Sequence, residues 1–223
     1  EWTDATWNPV GGCEILSPGC INCYAMRMAA GPRLRRHQLY AGVTRLVNGF
    51  PVFNGILTAL LDGHNGWTWP VRWRGAKDPV LGKGMPSLVF VGDMADLFHK
   101  KRSVEHIDRT VATMVASNHI AQLLTKRADV MADYFRNPGL ASRLRPILQK
   151  LRPKWPAALV DHAIANMRDK IWLGFSAERQ EEFDARWGQL RAFAAAGWQI
   201  FISAEPLLGR IFLGRDLATM PRK

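Results

Sequence analysis

Cys13, Cys20 and Cys23 are the only thiols in the 223-residue chain, and they fall near its start as Cys-x6-Cys-x2-Cys. An odd number in so tight a run is a poor disulfide framework. Thiolates spaced this way bind zinc or an iron-sulfur cluster. A structural zinc site takes four ligands, so zinc would need a histidine such as His37, which no local spacing singles out. A cubane with three cysteine ligands leaves one iron open. From spacing alone the two stand level. Gly11-Gly12 and Pro18-Gly19 shape a loop around the thiols, which argues against three unrelated core cysteines.

Such a loop needs elements to position it. From about residue 87 the chain repeats a short apolar run, a polar loop and an amphipathic helix, which predicts an α/β fold of parallel strands with helical crossovers. Residues 87–91 read as a buried strand, and Ser103 as the cap of a helix with Val104, Ile107, Val111 and Met114 on its apolar face. Residues 120–124 form the next strand, followed by a helix over about 128–135 that Asn137-Pro138-Gly139 ends. Residues 171–175 are a strand. A helix with Phe183, Trp187, Leu190 and Phe193 on one face follows, then Gly197 and a strand over 199–202. Near the start, 5–10 is an extended run, and a helix is expected to begin near Cys20. Two stretches stand outside the repeat. One is 31–86, irregular and basic, with Trp67, Trp69 and Trp73 among Arg72, Arg74 and Lys77; the other is 140–169, two short helices split by Arg152-Pro153-Lys154-Trp155-Pro156. No linker divides the chain, so 1–223 reads as a single domain carrying these two insertions.

In a parallel α/β sheet the site lies at the carboxyl ends of the strands. Each predicted strand is followed there by polar residues: Gly92, Asp93 and Asp96; Thr125 and Lys126; Ser176 and Glu178; Ser203 and Glu205. Loops are polar in any case, yet four in succession single out that edge.

Thirty basic against 19 acidic residues leave a net charge of +11, which points to an anionic partner such as nucleic acid. The tryptophans within 67–77 could stack bases among those cations or lie buried in a lid. No stretch reaches the length of a membrane span, and the first residues lack the basic and apolar regions of a signal peptide. A cytoplasmic protein with no membrane contact is expected.

The run Trp7-Asn8-Pro9-Val10-Gly11-Gly12-Cys13 and the run Ser17-Pro18-Gly19-Cys20-Ile21-Asn22-Cys23-Tyr24-Ala25 resemble the three-cysteine segment of a phage-associated family of unknown function. That family is in turn similar to radical S-adenosylmethionine (SAM) enzymes of the spore photoproduct lyase type. Stretches 89–99, 123–127, 172–178 and 202–209 match it in the same order. There are departures. Six residues, not the usual three, separate the first two cysteines, and Asn22 stands where an aromatic residue usually precedes the last, with Tyr24 just after it as a substitute. A further strand and a Gly-Glu-Ser-Gly segment of the family are absent, so a carboxyl-terminal truncation is expected.

The resemblance implies a partial (β/α) TIM-like barrel of the radical SAM type. It implies an enzyme with a 4Fe-4S cluster on Cys13, Cys20 and Cys23 that reductively cleaves S-adenosyl-L-methionine to a 5'-deoxyadenosyl radical. The electron donor would be a flavodoxin or ferredoxin, and the setting the cytoplasm of a bacterial host. Gly92, Asp93 and Met94 would meet the methionine end of the cofactor, and Ser176 and Glu178 its ribose or carboxylate. Lys126 and Tyr24, with Thr125, would face the substrate. Arg186 reads as a solvated helix residue rather than a carboxylate partner. With every cysteine on the cluster no thiol remains to donate hydrogen, which argues against photoproduct repair by the lyase's route. The alternatives are a zinc- or cluster-stabilised nucleic-acid-binding protein without catalysis, and a barrel that keeps its cluster as a structural element.

Overall fold

The structure, a computed structural model, describes residues 2–214. In chain order it holds β1 (Ala5–Trp7), β2 (Val10–Gly11), α1 (Tyr24–Ala30), β3 (Thr44–Val47), β4 (Phe50–Phe53), β5 (Thr58–Ala59), α2 (Trp69–Arg72), β6 (Leu88–Val91) and α3 (Val104–Ala116). There follow β7 (Ile120–Thr125), α4 (Ala128–Arg136), α5 (Leu140–Leu151), α6 (Ala157–Ala165), β8 (Ile171–Ser176), α7 (Gln180–Ala195) and β9 (Ile200–Ser203). Five strands pair in parallel in the order β1-β6-β7-β8-β9. The expected α/β class is therefore the observed one.

Strands so rich in apolar residues suit a parallel sheet covered by crossover helices. Val89, Val91, Ala121, Leu123, Ile171, Leu173 and Phe175 are buried. They alternate with Phe90, Gln122, Leu124, Trp172 and Gly174, so they share one face. On that face Val111 and Met114 of α3, Met131 of α4, and Phe183 and Leu190 of α7 join them in one core. Burying a side chain such as Phe175 there stabilises by about 1.5–3 kcal/mol. The opposite face is thinly covered. Trp2 lies across it, its ring 4.7 Å from that of Phe90 and its carbonyl accepting from Gln122 Nε2 at 3.0 Å. Gly174 leaves a gap that the ring of its partner Phe201 fills: a Cβ at Gly174 would come within 2.2 Å of it.

Several local expectations need correction. Residues 18–20 make a single 3-10 turn, and Cys23, with ψ 124°, is extended, so α1 starts only at Tyr24. Ser103 makes no capping bond, and Val104 is 50% exposed, so the buried stripe of α3 begins at Ile107. Stretch 31–86 is less irregular than expected. β3 and β4 form a hairpin on Asn48 (φ 48°) and Gly49 (φ 79°), the left-handed pair a two-residue turn requires. β5 pairs with β2, beside the cysteine loop. Trp67 is buried and donates to the Leu60 carbonyl at 3.0 Å, while Trp69 and Trp73 stack at 5.0 Å. Their rings are spent on packing, so the base-stacking expectation fails for Trp67.

Stretch 140–169 folds back onto α3 rather than standing apart. Buried Asp108 of α3 accepts from Tyr134 Oη of α4 at 2.7 Å and from Arg143 Nε of α5 at 2.9 Å. Among the described residues no helix is long and apolar enough to cross a membrane. Tyr134→Phe leaves one oxygen of buried Asp108 without its donor. It should lower stability by about 1–3 kcal/mol in chemical unfolding, and an unchanged midpoint would show that this contact does not secure the helical layer.

Candidate functional site

The carboxyl ends of the five parallel strands meet the cysteine loop at one edge, around a cavity of about 600 Å³. That is within the range of small-molecule and cofactor sites. Cys13, Cys20 and Cys23 line it, with Tyr24 on the first turn of α1. Gly92, Asp93 and Met94 enter from the end of β6, Lys126 from β7, Ser176 from β8, and Ser203 and Glu205 from β9. Of the residues expected at the site, only Glu178 does not line it.

Between β2 and α1 the loop has one short turn of its own, so other elements must hold it. Arg102, buried, donates through Nη2 to the Gly11 carbonyl at 3.0 Å and through Nη1 to the Thr58 carbonyl at 2.6 Å. A Cβ at Gly11 or Gly12 would lie 2.0 Å from a neighbouring backbone oxygen, that of Leu39 or Ile56, and Gly12 also has φ +78°. Glu178, with 0% exposure of its side chain, holds the other side. Its Oε1 accepts from Ser17 Oγ and from Lys126 Nζ, both at 2.5 Å, and its Oε2 from Arg186 Nη1 at 2.6 Å. A Cβ on Gly19 would sit 2.3 Å from Glu178 Cγ. Burial alone would raise the carboxyl's pKa, but the bonds from Lys126, Ser17 and Arg186 outweigh it and hold the group at about 2. Glu178 is thus a tether inside the protein rather than a group facing a ligand. Arg186, expected to be solvated, is buried because this carboxylate needs its charge.

Nearer the cavity, Asp93 Oδ1 accepts from Asn8 Nδ2 at 2.6 Å, and its carbonyl accepts from Tyr24 Oη at 2.9 Å. Burial pushes the Asp93 pKa up and the Asn8 bond pulls it partly back. Burial, then the Asp93 charge, pushes the Tyr24 phenol up, which keeps it a neutral donor. Asp96 accepts from Thr125 Oγ1 at 2.7 Å and from Arg127 Nη1 at 2.9 Å, tying the ends of β6 and β7. Burial, with the Asp96 charge adding to it, pushes Cys13 up to about 12 against an opposing pull from Arg127. Burial likewise raises Cys23.

Among the described residues no group of three or more His, Cys, Asp or Glu side chains is drawn together so that it could hold a metal ion. The three thiols share one cavity. His37 lines a separate cavity of about 320 Å³ with Tyr40, His64 and Trp69. Asn8, Ser17, Arg102 and Arg127 hold the site and were not singled out by sequence. Ser17 and Asn8 sit inside the quoted motif, and Arg127 directly follows a strand-end pair, which is the one signal that could have marked them.

Fold and site together define an α/β protein whose parallel sheet carries a three-cysteine cavity at its carboxyl edge. Over residues 1–220 the chain matches the model of a family described as protein of unknown function, DUF5131, and it belongs to that family. The match itself shows no relation to radical SAM enzymes or spore photoproduct lyase. No curated protein and no solved structure matches the chain.

Because the Glu178 carboxyl ionises at about 2 rather than at the ordinary 4.5, its contribution to stability is complete above pH 4.5 and is lost as pH falls towards 2. Glu178→Gln should cost on the order of 3–5 kcal/mol, since it strands buried Arg186 and half-buried Lys126, and should flatten the decline of stability across that pH window. Chemical unfolding of both proteins between about pH 5 and pH 2 checks this; a variant with an undiminished acid slope would assign the slope elsewhere.

Proposed function

We propose that this chain is a radical SAM enzyme in which Cys13, Cys20 and Cys23 hold a 4Fe-4S cluster and S-adenosylmethionine occupies the rest of the cavity. One observation carries the reading: every thiol of the chain lines one cavity at the carboxyl edge of parallel strands that follow one another in chain order. That order is the one a partial barrel requires. The donor set fits the cluster. Three thiols on one cavity wall match the three ligands of a cubane with an open iron, whereas a structural zinc takes a fourth ligand and His37 lines a separate cavity. When bound, the cluster and S-adenosylmethionine would supply a one-electron reductive cleavage that yields a 5'-deoxyadenosyl radical.

The chain's own residues provide binding and exclusion. In this reading Asp93 receives the methionine ammonium, supported by its place on the cavity wall and by the Asn8 bond that fixes its rotamer. Gly92, at φ +80°, lets the backbone turn there, and Met94 is buried beneath it. Ser176 offers a hydroxyl at the end of β8 for a ribose or carboxylate oxygen. Phe90, Leu124 and Trp2 make the cavity's apolar wall and keep water from a reactive intermediate. Tyr24 and Lys126 flank the substrate side; Lys126 reaches it only as the partner of Glu178, its side chain 19% exposed.

Anaerobic reconstitution should load about four irons per chain, and Cys20→Ala or Cys23→Ala should abolish loading. Asp93→Ala should keep its iron yet bind S-adenosylmethionine roughly tenfold or more weakly, the loss of one charge-assisted bond. A protein that takes zinc and no iron, or a reduced cluster whose paramagnetic spectrum ignores S-adenosylmethionine, would defeat the reading.

A further inference from the structure

Residues 15–61 contain no aspartate, glutamate or lysine, and they carry five arginines: Arg27, Arg33, Arg35, Arg36 and Arg45. All five are exposed. Among the described residues none of their side chains donates a hydrogen bond or forms an ion pair. Among the described residues most arginines elsewhere are tied down, among them Arg102 to backbone carbonyls, Arg127 to Asp96, Arg143 to Asp108 and Arg186 to Glu178, with Arg74, Arg191 and Arg210 as scattered exceptions. α1, the turns after it and the β3–β4 hairpin therefore carry a block of unpaired positive charge with no acid among it.

The same elements wall the cysteine cavity. Tyr24 and Met26 of α1 and Phe53 of β4 line it, and Arg27 lies one helical turn beyond Tyr24. At the hairpin tip Leu46 is 73% and Phe50 65% exposed, on either side of the Asn48-Gly49 turn. Large apolar side chains held out in water beside unpaired cations form a surface for a partner that is both anionic and flat-faced.

We infer that the surface from Tyr24 to Phe53 is a track for single-stranded nucleic acid that leads an unpaired base to the cysteine cavity. The inference takes that cavity as the reacting site from the proposed function. Arginine forks match phosphate oxygens in pairs, and their planes stack on bases as lysine cannot. Phe50 and Tyr24 supply exposed rings on which bases stack. A cavity of about 600 Å³ adjoining the track has room for a nucleoside. An anionic membrane would also suit charge beside apolar tips, but a lipid surface has no group to send into a cavity at the sheet edge.

The test is fluorescence anisotropy of a labelled single-stranded DNA oligonucleotide with the full chain, without iron, over a series of salt concentrations. Replacing Arg33, Arg35 and Arg36 together by glutamine should weaken binding and make the plot of log affinity against log salt shallower by about 2, at about 0.7 per lost phosphate contact. Leu46→Ser with Phe50→Ser should weaken binding and leave the slope unchanged, and Lys150→Gln with Lys154→Gln should change neither. An unchanged slope in the arginine variant, an equal loss in the lysine variant, or a duplex of the same sequence bound as tightly would each overturn the track. So would anionic phosphatidylserine vesicles that capture the wild type and release the arginine variant while oligonucleotide binding is unaltered. Oligonucleotide binding is measured on iron-free protein, and cluster loading is read apart from it as iron per chain after anaerobic reconstitution. Failure to load a cluster and failure of the track are thus read in separate measurements.

Discussion

One buried carboxylate sets the geometry of this edge of the molecule. Removing Glu178 from water costs several kcal/mol unless both oxygens are satisfied by charge. The satisfaction comes from Ser17 in the cysteine loop, Lys126 after β7 and Arg186 on α7. Those groups are far apart in sequence, so the carboxylate is stable only when loop, strand end and helix are all in register. Its carbonyl adds Leu208 and Gly209, whose amides donate at 2.8 and 3.2 Å. A slip of the loop would take the Ser17 hydroxyl from Glu178 and leave that buried oxygen to Lys126 alone. That threat holds the backbone around Cys20, whose Sγ also lies within hydrogen-bond reach of Ser17 Oγ at 3.7 Å. Gly19 completes the arrangement by having no side chain where Glu178 Cγ lies.

Asp96 repeats the device one strand over. It gathers Thr125 and Arg127 while its own loop closes on Gly92. Gly12 bridges to Ala95 in the same loop, so the first cysteine is fixed to the end of β6 and the second, through Ser17, to the end of β8. The cavity is the space these two buried networks cannot close. Its walls are apolar because the open face of the sheet, with Phe90 and Leu124, runs directly into it. Its floor is polar because strand ends must place their unpaired groups somewhere.

The parts of this arrangement legible in the sequence are those with a period or a punctuation. Ile171–Ser176 and α7 could be read because apolar runs and a helical stripe repeat there, and Asp93 and Ser176 because they follow such runs. The roles of Glu178 and Arg186 could not be read that way. An acidic residue two positions past a strand and an arginine eight further on look like solvent-facing groups until the loop bearing Ser17 folds over them. That is a tertiary fact with no local trace. Stretch 31–86 misled for the opposite reason: its strands are two to four residues long, too short for any periodicity, and its tryptophans pack inward because neighbouring His119 and Leu60 receive them.

Charge shows the same division between what composition reveals and what folding decides. A net +11 treats every arginine alike, yet a guanidinium whose fork is spent on Glu178 or on the Gly11 carbonyl has no donors left for a partner. Folding neutralises such groups one by one around the cavity and through the helical layer, and leaves the acid-free stretch before Asp62 untouched. The electrostatic field outside the protein is accordingly set less by the total than by where pairing stops. One place where it stops is the run of elements that begins directly after Cys23, so the exposed positive surface and the thiols share a wall formed by α1.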